Sequence, residues 1–189
     1  KWTHSFSGTT RTIEEQTQPV VGDIDNDGIP EVIINDNGTD FIVFFDGQTG
    51  VSKTELNTNF NVGSIANSGV IIGNVDNDPE GEIFYIGRSH DVYGVNHDGT
   101  AIFEAEATAL HAFSEKDYLG LADFNQDGIA ELYAGNKIWN TQPTTTAGEI
   151  LIDGGNTNAK GVDQYSAESA QSVAVDILPT SACGSFSTS

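Results

Sequence analysis

Asp23, Asp25, Asp27 and Glu31 crowd four carboxylates into nine residues of the stretch GDIDNDGIPEVII, which runs from Gly22 to Ile34 between two apolar runs. Holding such groups within a few ångströms costs on the order of 3 to 4 kcal/mol per adjacent pair at an effective dielectric near 20. A divalent cation removes that cost. Hard oxygen donors in this number suit Ca²⁺, with side chains from Asp23, Asp25 and Asp27, the backbone carbonyl of Ile29, and Glu31 as the closing ligand. Gly28 supplies the sharp turn, because glycine tolerates positive φ. An EF-hand loop also begins D-x-D-x-D-G, but it closes on an acidic residue at its twelfth position and sits between helices. Here the twelfth position is Ile34 and both flanks read as strands, so the ninth residue closes the loop instead.

The pattern recurs about fifty and about a hundred residues on, in VIIGNVDNDPEGEIFYI from Val70 and LGLADFNQDGIAELYAG from Leu119. Asp23, Asn74 and Asp123 align, and a fourth apolar entry, SVAVDIL from Ser172, places Asp176 roughly one period further. The third loop repeats the missing EF-hand ligand, with Ala134 at position twelve.

The elements that must position these loops are short β segments, four to a period. In the first period they cover 20–24, 31–35, 41–45 and 51–56, joined by the turn-rich stretches NDNGTD and DGQTG. The second period covers 70–75, 82–87, 92–95 and 101–106, and the third 119–124, 131–134, 137–139 and 149–152. Inner strands such as FIVFF (Phe41 to Phe45) are continuous apolar runs, the mark of burial on both faces, while the outer ones are more polar. Repeated four-stranded units of this length predict an all-β chain organised as β-propeller blades, each covering its faces with its neighbours. The whole chain, 1–189, is one propeller segment, with blade repeats at 20–56, 70–106 and 119–152. Partial strands at 1–7 and 171–178 belong to flanking blades. Those two ends together lack a middle pair of strands, so the expectation is an arc of a larger propeller and not a closed four-bladed ring.

The loops DIDNDGIPE and DFNQDGIAE resemble the calcium loops of FG-GAP/VCBS repeats, known from the integrin α-subunit propeller and from secreted bacterial propellers. The resemblance covers all three complete periods. It implies a seven- or eight-bladed propeller when complete, with up to three Ca²⁺ in this segment. The ligands it implies are Asp23, Asp25, Asp27, Ile29 and Glu31 in the first loop, and Asp123, Asn125, Asp127, Ile129 and Glu131 in the third. In the second they are Asn74, Asp76, Asp78, Glu80 by its carbonyl, and Glu82. That loop departs from the pattern, because Pro79 stands where the glycine belongs and cannot take positive φ, which moves the expected turn to Gly81. The competing reading is an acidic surface turn without metal. Where metal binds, its role is structural bracing and not catalysis.

Seven Lys+Arg against 28 Asp+Glu give a formal charge of −21, which repels nucleic-acid phosphates and anionic membrane surfaces. No apolar run approaches the roughly 18 residues that span a bilayer, and the N-terminus lacks the order of a secretory signal. With no methionine in the chain, Lys1 is not a translation start, so a processed chain or a fragment is expected, with the rest of a longer polypeptide as a partner. Cys183 is alone and defines no disulfide. His4, His90, His97 and His111 show no zinc spacing, and the cluster Arg88, Ser89, His90, Asp91 is adjacency without the geometry of a triad. Trp2, Trp139, Tyr93 and Phe103 suit packing between blades better than a sugar platform.

The function expected is a non-enzymatic scaffold, extracellular or at the cell surface, that binds or adheres to protein or glycan ligands. The location follows from the family and from the high Ca²⁺ outside cells. Two alternatives stand beside it. One is the non-catalytic portion of a polysaccharide lyase acting on rhamnogalacturonan, since similar propellers occur there; proton abstraction beside a uronate requires a cluster of basic groups, and the seven Lys+Arg here are scattered. The other is a structural spacer in a surface filament.

Overall fold

Runs rich in β-branched and aromatic residues, each ended by Gly, Asn or Asp, become the strands of a computed structural model. It describes residues 1, 3, 18–36, 41–57, 70–86, 92–105, 119–134, 137–144 and 149–153. Among these lie twelve strands: β1 (Val20–Gly22), β2 (Glu31–Asp36), β3 (Phe41–Asp46), β4 (Ser52–Asn57), β5 (Ile71–Gly73), β6 (Glu82–Ile86), β7 (Val92–Asn96), β8 (Ala101–Ala105), β9 (Gly120–Ala122), β10 (Glu131–Ala134), β11 (Lys137–Trp139) and β12 (Ile150–Asp153). They form three four-stranded antiparallel sheets, β1-β2-β3-β4, β5-β6-β7-β8 and β9-β10-β11-β12, each a simple meander. The flanking strands expected at 1–7 and 171–178 lie outside the described residues, apart from Lys1 and Thr3.

The repeat extends to register. Gly22 pairs with Glu31, Gly73 with Glu82 and Ala122 with Glu131, so each acidic loop springs from the same rung. Each third and fourth strand is interrupted by a bulge at the same place, between Phe44 and Phe45, Gly94 and Val95, and Ile138 and Trp139.

Sheets stack through alternating side chains. Ile33 of β2 and Ile42 and Phe44 of β3 pack with Ile24 against Ile83, Tyr85, Tyr93 and Val95 of the second sheet, where Tyr85 and Tyr93 stack with centroids 5.2 Å apart. The opposite face of that sheet, with Phe84, Ile86 and Val92, meets Leu132, Ala134 and Trp139 of the third. That double coverage buries all five residues of β6. Among the described residues no core cluster joins the first sheet to the third, and the sheets form an open stack.

Burial is greatest in the middle two strands of each sheet and not in the first. β5 and β9 are half-buried throughout and Val21 of β1 is exposed, because a sheet-edge strand has a neighbour on one side only. These first-strand edges nevertheless interlock. A Cβ on Gly22 would lie 2.3 Å from Ile72 Cδ1, and one on Gly73 would lie 2.4 Å from Leu121 Cδ1. Each glycine thus makes room for the equivalent side chain of the next sheet.

Candidate metal centres

Each acidic loop joins the first two strands of its sheet, and a buried glutamate closes its base. Glu31, Glu82 and Glu131 are only 1%, 1% and 4% exposed. One oxygen, Oε2, accepts from the backbone N–H seven residues earlier: Ile24 at 3.1 Å, Val75 at 2.6 Å and Phe124 at 2.7 Å. A buried donor is thereby satisfied. Ile34 and Ala134, at the EF-hand closing position, are core residues at 6% and 1% exposure. Neither can be a ligand.

The first and third loops share one conformation. Asp23 accepts from the N–H groups of Asp27 (3.0 Å) and Gly28 (2.9 Å), and Asp123 from those of Asp127 (3.2 Å) and Gly128 (2.9 Å). Two left-handed residues turn each loop, Asn26 and Gly28 with φ of 54° and 87°, Gln126 and Gly128 with 62° and 93°. Ile29, Ile129 and Glu80, expected as carbonyl ligands, are placed by their amides, each donating to the aspartate two residues before at 2.8, 2.8 and 3.1 Å.

The second loop turns differently, as Pro79 requires. None of residues 74–81 has a positive φ, Gly81 included. Gly81 instead donates its N–H to the Ile24 carbonyl of the neighbouring sheet at 2.8 Å. Pro79 offers no N–H to the first position, and there Asn74 reverses the bond, donating its side-chain amide to Asp78 O at 2.8 Å. Asp76 accepts from Asp78 N at 2.8 Å. Gln142 Nε2, just after β11 of the third sheet, reaches across to the Val75 carbonyl, so the second loop is tied to both neighbouring sheets.

Three carboxylate groups can each bring oxygens within 4.8 Å of one another: Asp23, Asp25 and Asp27; Asp76, Asp78 and Glu82; Asp123, Asp127 and Glu131. These are the hard donors that Ca²⁺ takes. Glu82 carries the strain of such crowding. Burial first, then the neighbouring charges of Asp76 and Asp78, push its carboxyl up to about 7 against the bond from Val75 N–H. In the third loop the neutral Asn125 amide fills the centre, donating to Asp127 Oδ2 and to Glu131 Oε1, both at 2.9 Å.

The first loop holds a cation of its own. Lys53 Nζ lies 2.8 Å from Asp25 Oδ2, 2.6 Å from Asp27 Oδ2 and 2.9 Å from Glu31 Oε1. Those bonds raise the lysine above its ordinary range, and the Lys53 bond is the main cause holding Asp27 below its own. Asp25 Oδ1 remains buried without a hydrogen-bond partner. Reading the sequence for ligands misses Lys53, which lies outside the loop in β4. The detectable signal is the outer-strand position shared with Ile102 and Leu151, where only the first period carries a charge.

The fold and sites define an all-β protein of stacked four-stranded sheets with an acidic loop at the base of each. No family model matches the chain, and no curated protein does. Among solved structures, the chain is similar to the V. cholerae biofilm matrix protein Bap1, with a TM-score of 0.50 and 19% sequence identity over 69% of this chain. The match covers 19% of Bap1, so the chain spans about a fifth of that protein's length.

Proposed function

We propose that this chain is an arc of a calcium-stabilised β-propeller of the FG-GAP/VCBS type, acting as a non-enzymatic binding or adhesion scaffold outside the cell or on its surface. The observation that carries the reading is the threefold recurrence of one device: an acidic loop at the same rung of three sheets, with a carboxylate cluster and a buried glutamate that accepts from the backbone N–H seven residues earlier. Calcium in such a loop bridges the first two strands of its sheet and fixes the loop against the neighbouring sheet. The likeness to a biofilm matrix protein supports an extracellular scaffold, and protein or glycan ligands are the partners that such a setting offers.

Catalysis is no part of the proposal. Among the described residues, Lys53 is engaged by three carboxylates and Lys137 is buried, so neither of these two is disposed to abstract a proton from a uronate. Binding of the chain to an array of extracellular polysaccharides and matrix proteins, in millimolar Ca²⁺ and in EGTA, tests the scaffold reading. Calcium-dependent retention on one ligand class is expected; no retention on any ligand in either condition would overturn the scaffold reading.

A further inference from the structure

Lys53 reaches the first loop from β4, a strand that pairs with β3. The β-bulge brings it there. Phe45 pairs with Ser52 and Phe44 with Thr54, which leaves Lys53 as the extra, unpaired residue, and bulges re-aim such side chains. The same bulges in the other sheets leave Ile102 and Leu151 in that place. Ile102 packs on the core and Leu151 is exposed, and neither brings charge to a loop.

Charge follows the difference. The first loop has aspartates at both Asp23 and Asp25, where the second has Asn74 with Asp76 and the third Asp123 with Asn125, and among the described residues it is the first loop that receives an ammonium. In the third loop the bonds to Asp127 Oδ2 and Glu131 Oε1 come from a neutral amide; in the first the corresponding oxygens of Asp27 and Glu31 receive the lysine.

We propose that Lys53 is a tethered cation for the first loop, which holds the loop closed without metal and admits a divalent ion only when the ammonium is displaced. The inference rests on the calcium reading for the second and third loops. The three loops then differ in kind: the first is braced at any calcium level, while the other two respond to it. The Lys53 side chain keeps 24% of its surface exposed, so its ammonium can swing out to solvent when an ion displaces it.

Amide resonances of Gly28 and Gly128 report the first and third loops separately in a ¹⁵N-labelled chain titrated with CaCl₂. Gly128 is expected to respond at a calcium concentration at least tenfold below Gly28, and Lys53→Met to lower the Gly28 midpoint at least tenfold while leaving Gly128 in place. An unchanged Gly28 midpoint in Lys53→Met overturns the proposal with the calcium reading intact. If Gly128 responds in no variant, the calcium reading fails and Lys53 is judged in EGTA alone. There Lys53→Met must shift Gly28 and lower the melting temperature, and no change in either overturns it. Should Lys53→Met fail to fold, Asp25→Asn with Lys53→Met removes one charge of each sign. That pair is expected to fold in EGTA and to bind calcium at Gly28 within threefold of Gly128; a Gly28 midpoint still tenfold higher overturns the proposal.

Discussion

Glu131 Oε2 accepts from Phe124 N–H at 2.7 Å while its Oε1 accepts from the Asn125 amide at 2.9 Å, so one buried carboxylate ties the strand base to the loop centre. Glu131→Ala strips both bonds and leaves a part-buried N–H unpaired, which costs about 1 to 3 kcal/mol. Urea unfolding of the calcium-free chain measures it. Glu131→Gln keeps an acceptor for Phe124 and is expected to lose less than half as much stability in EGTA, while losing the calcium response of the third loop.

Stability of the calcium-free chain should fall as pH rises from about 4.5 to about 7. Glu82 is raised in the folded chain from the ordinary 4.5 to about 7, so across that window the folded state keeps a proton that the unfolded state has released. The contribution is full below 4.5 and gone above 7, and amounts to no more than about 3 kcal/mol. Melting temperatures in EGTA across pH 4 to 8 should show the decline, and Glu82→Gln should flatten it. A decline that persists unchanged in Glu82→Gln would assign the effect to other groups.

Gly73→Ala drives a Cβ to 2.4 Å from Leu121 Cδ1, and the third sheet must shift or Leu121 must change rotamer. A loss of about 1 to 2 kcal/mol is expected. Adding Leu121→Ala relieves the clash, so the double variant should be more stable than the sum of the two single effects. Strict additivity would mean that the first-strand edges do not interlock.

Gly28 and Gly128 sit at φ of 87° and 93° with open space where a methyl group would stand, so alanine there costs through backbone conformation and not through contact. Each substitution is expected to cost about 1 kcal/mol, and asparagine, which tolerates the left-handed region, clearly less. Denaturant midpoints of the four variants check this.

The strands are legible because each acidic loop and each Gly/Asn/Asp turn cuts the chain between runs such as EVII and FIVFF, and their observed ends fall within two residues or so of those expected. The carboxylate clusters are legible for the same reason, as their spacing is local. What escapes is non-local. Lys53 enters its loop through a bulge in β4, a feature of register that no spacing within the loop reveals. Pro79 makes it plain that the second loop turns differently, but not where: Gly81 is kept without a side chain by the approach of Ile24, whose Cγ1 would lie 3.3 Å from a Cβ, and not by positive φ.

Differential scanning calorimetry of the chain in 5 mM CaCl₂ and in EGTA tests the central claim, that calcium in the β-sheet loops holds this fold together. A site filled at a hundredfold excess over its Kd adds roughly 2.7 kcal/mol. For a chain of this size that raises the melting temperature by roughly 5 °C or more per site, and filling of the second and third loops predicts at least that rise, absent when MgCl₂ replaces calcium. Melting temperatures that agree within about 1 °C in calcium and EGTA would contradict the account.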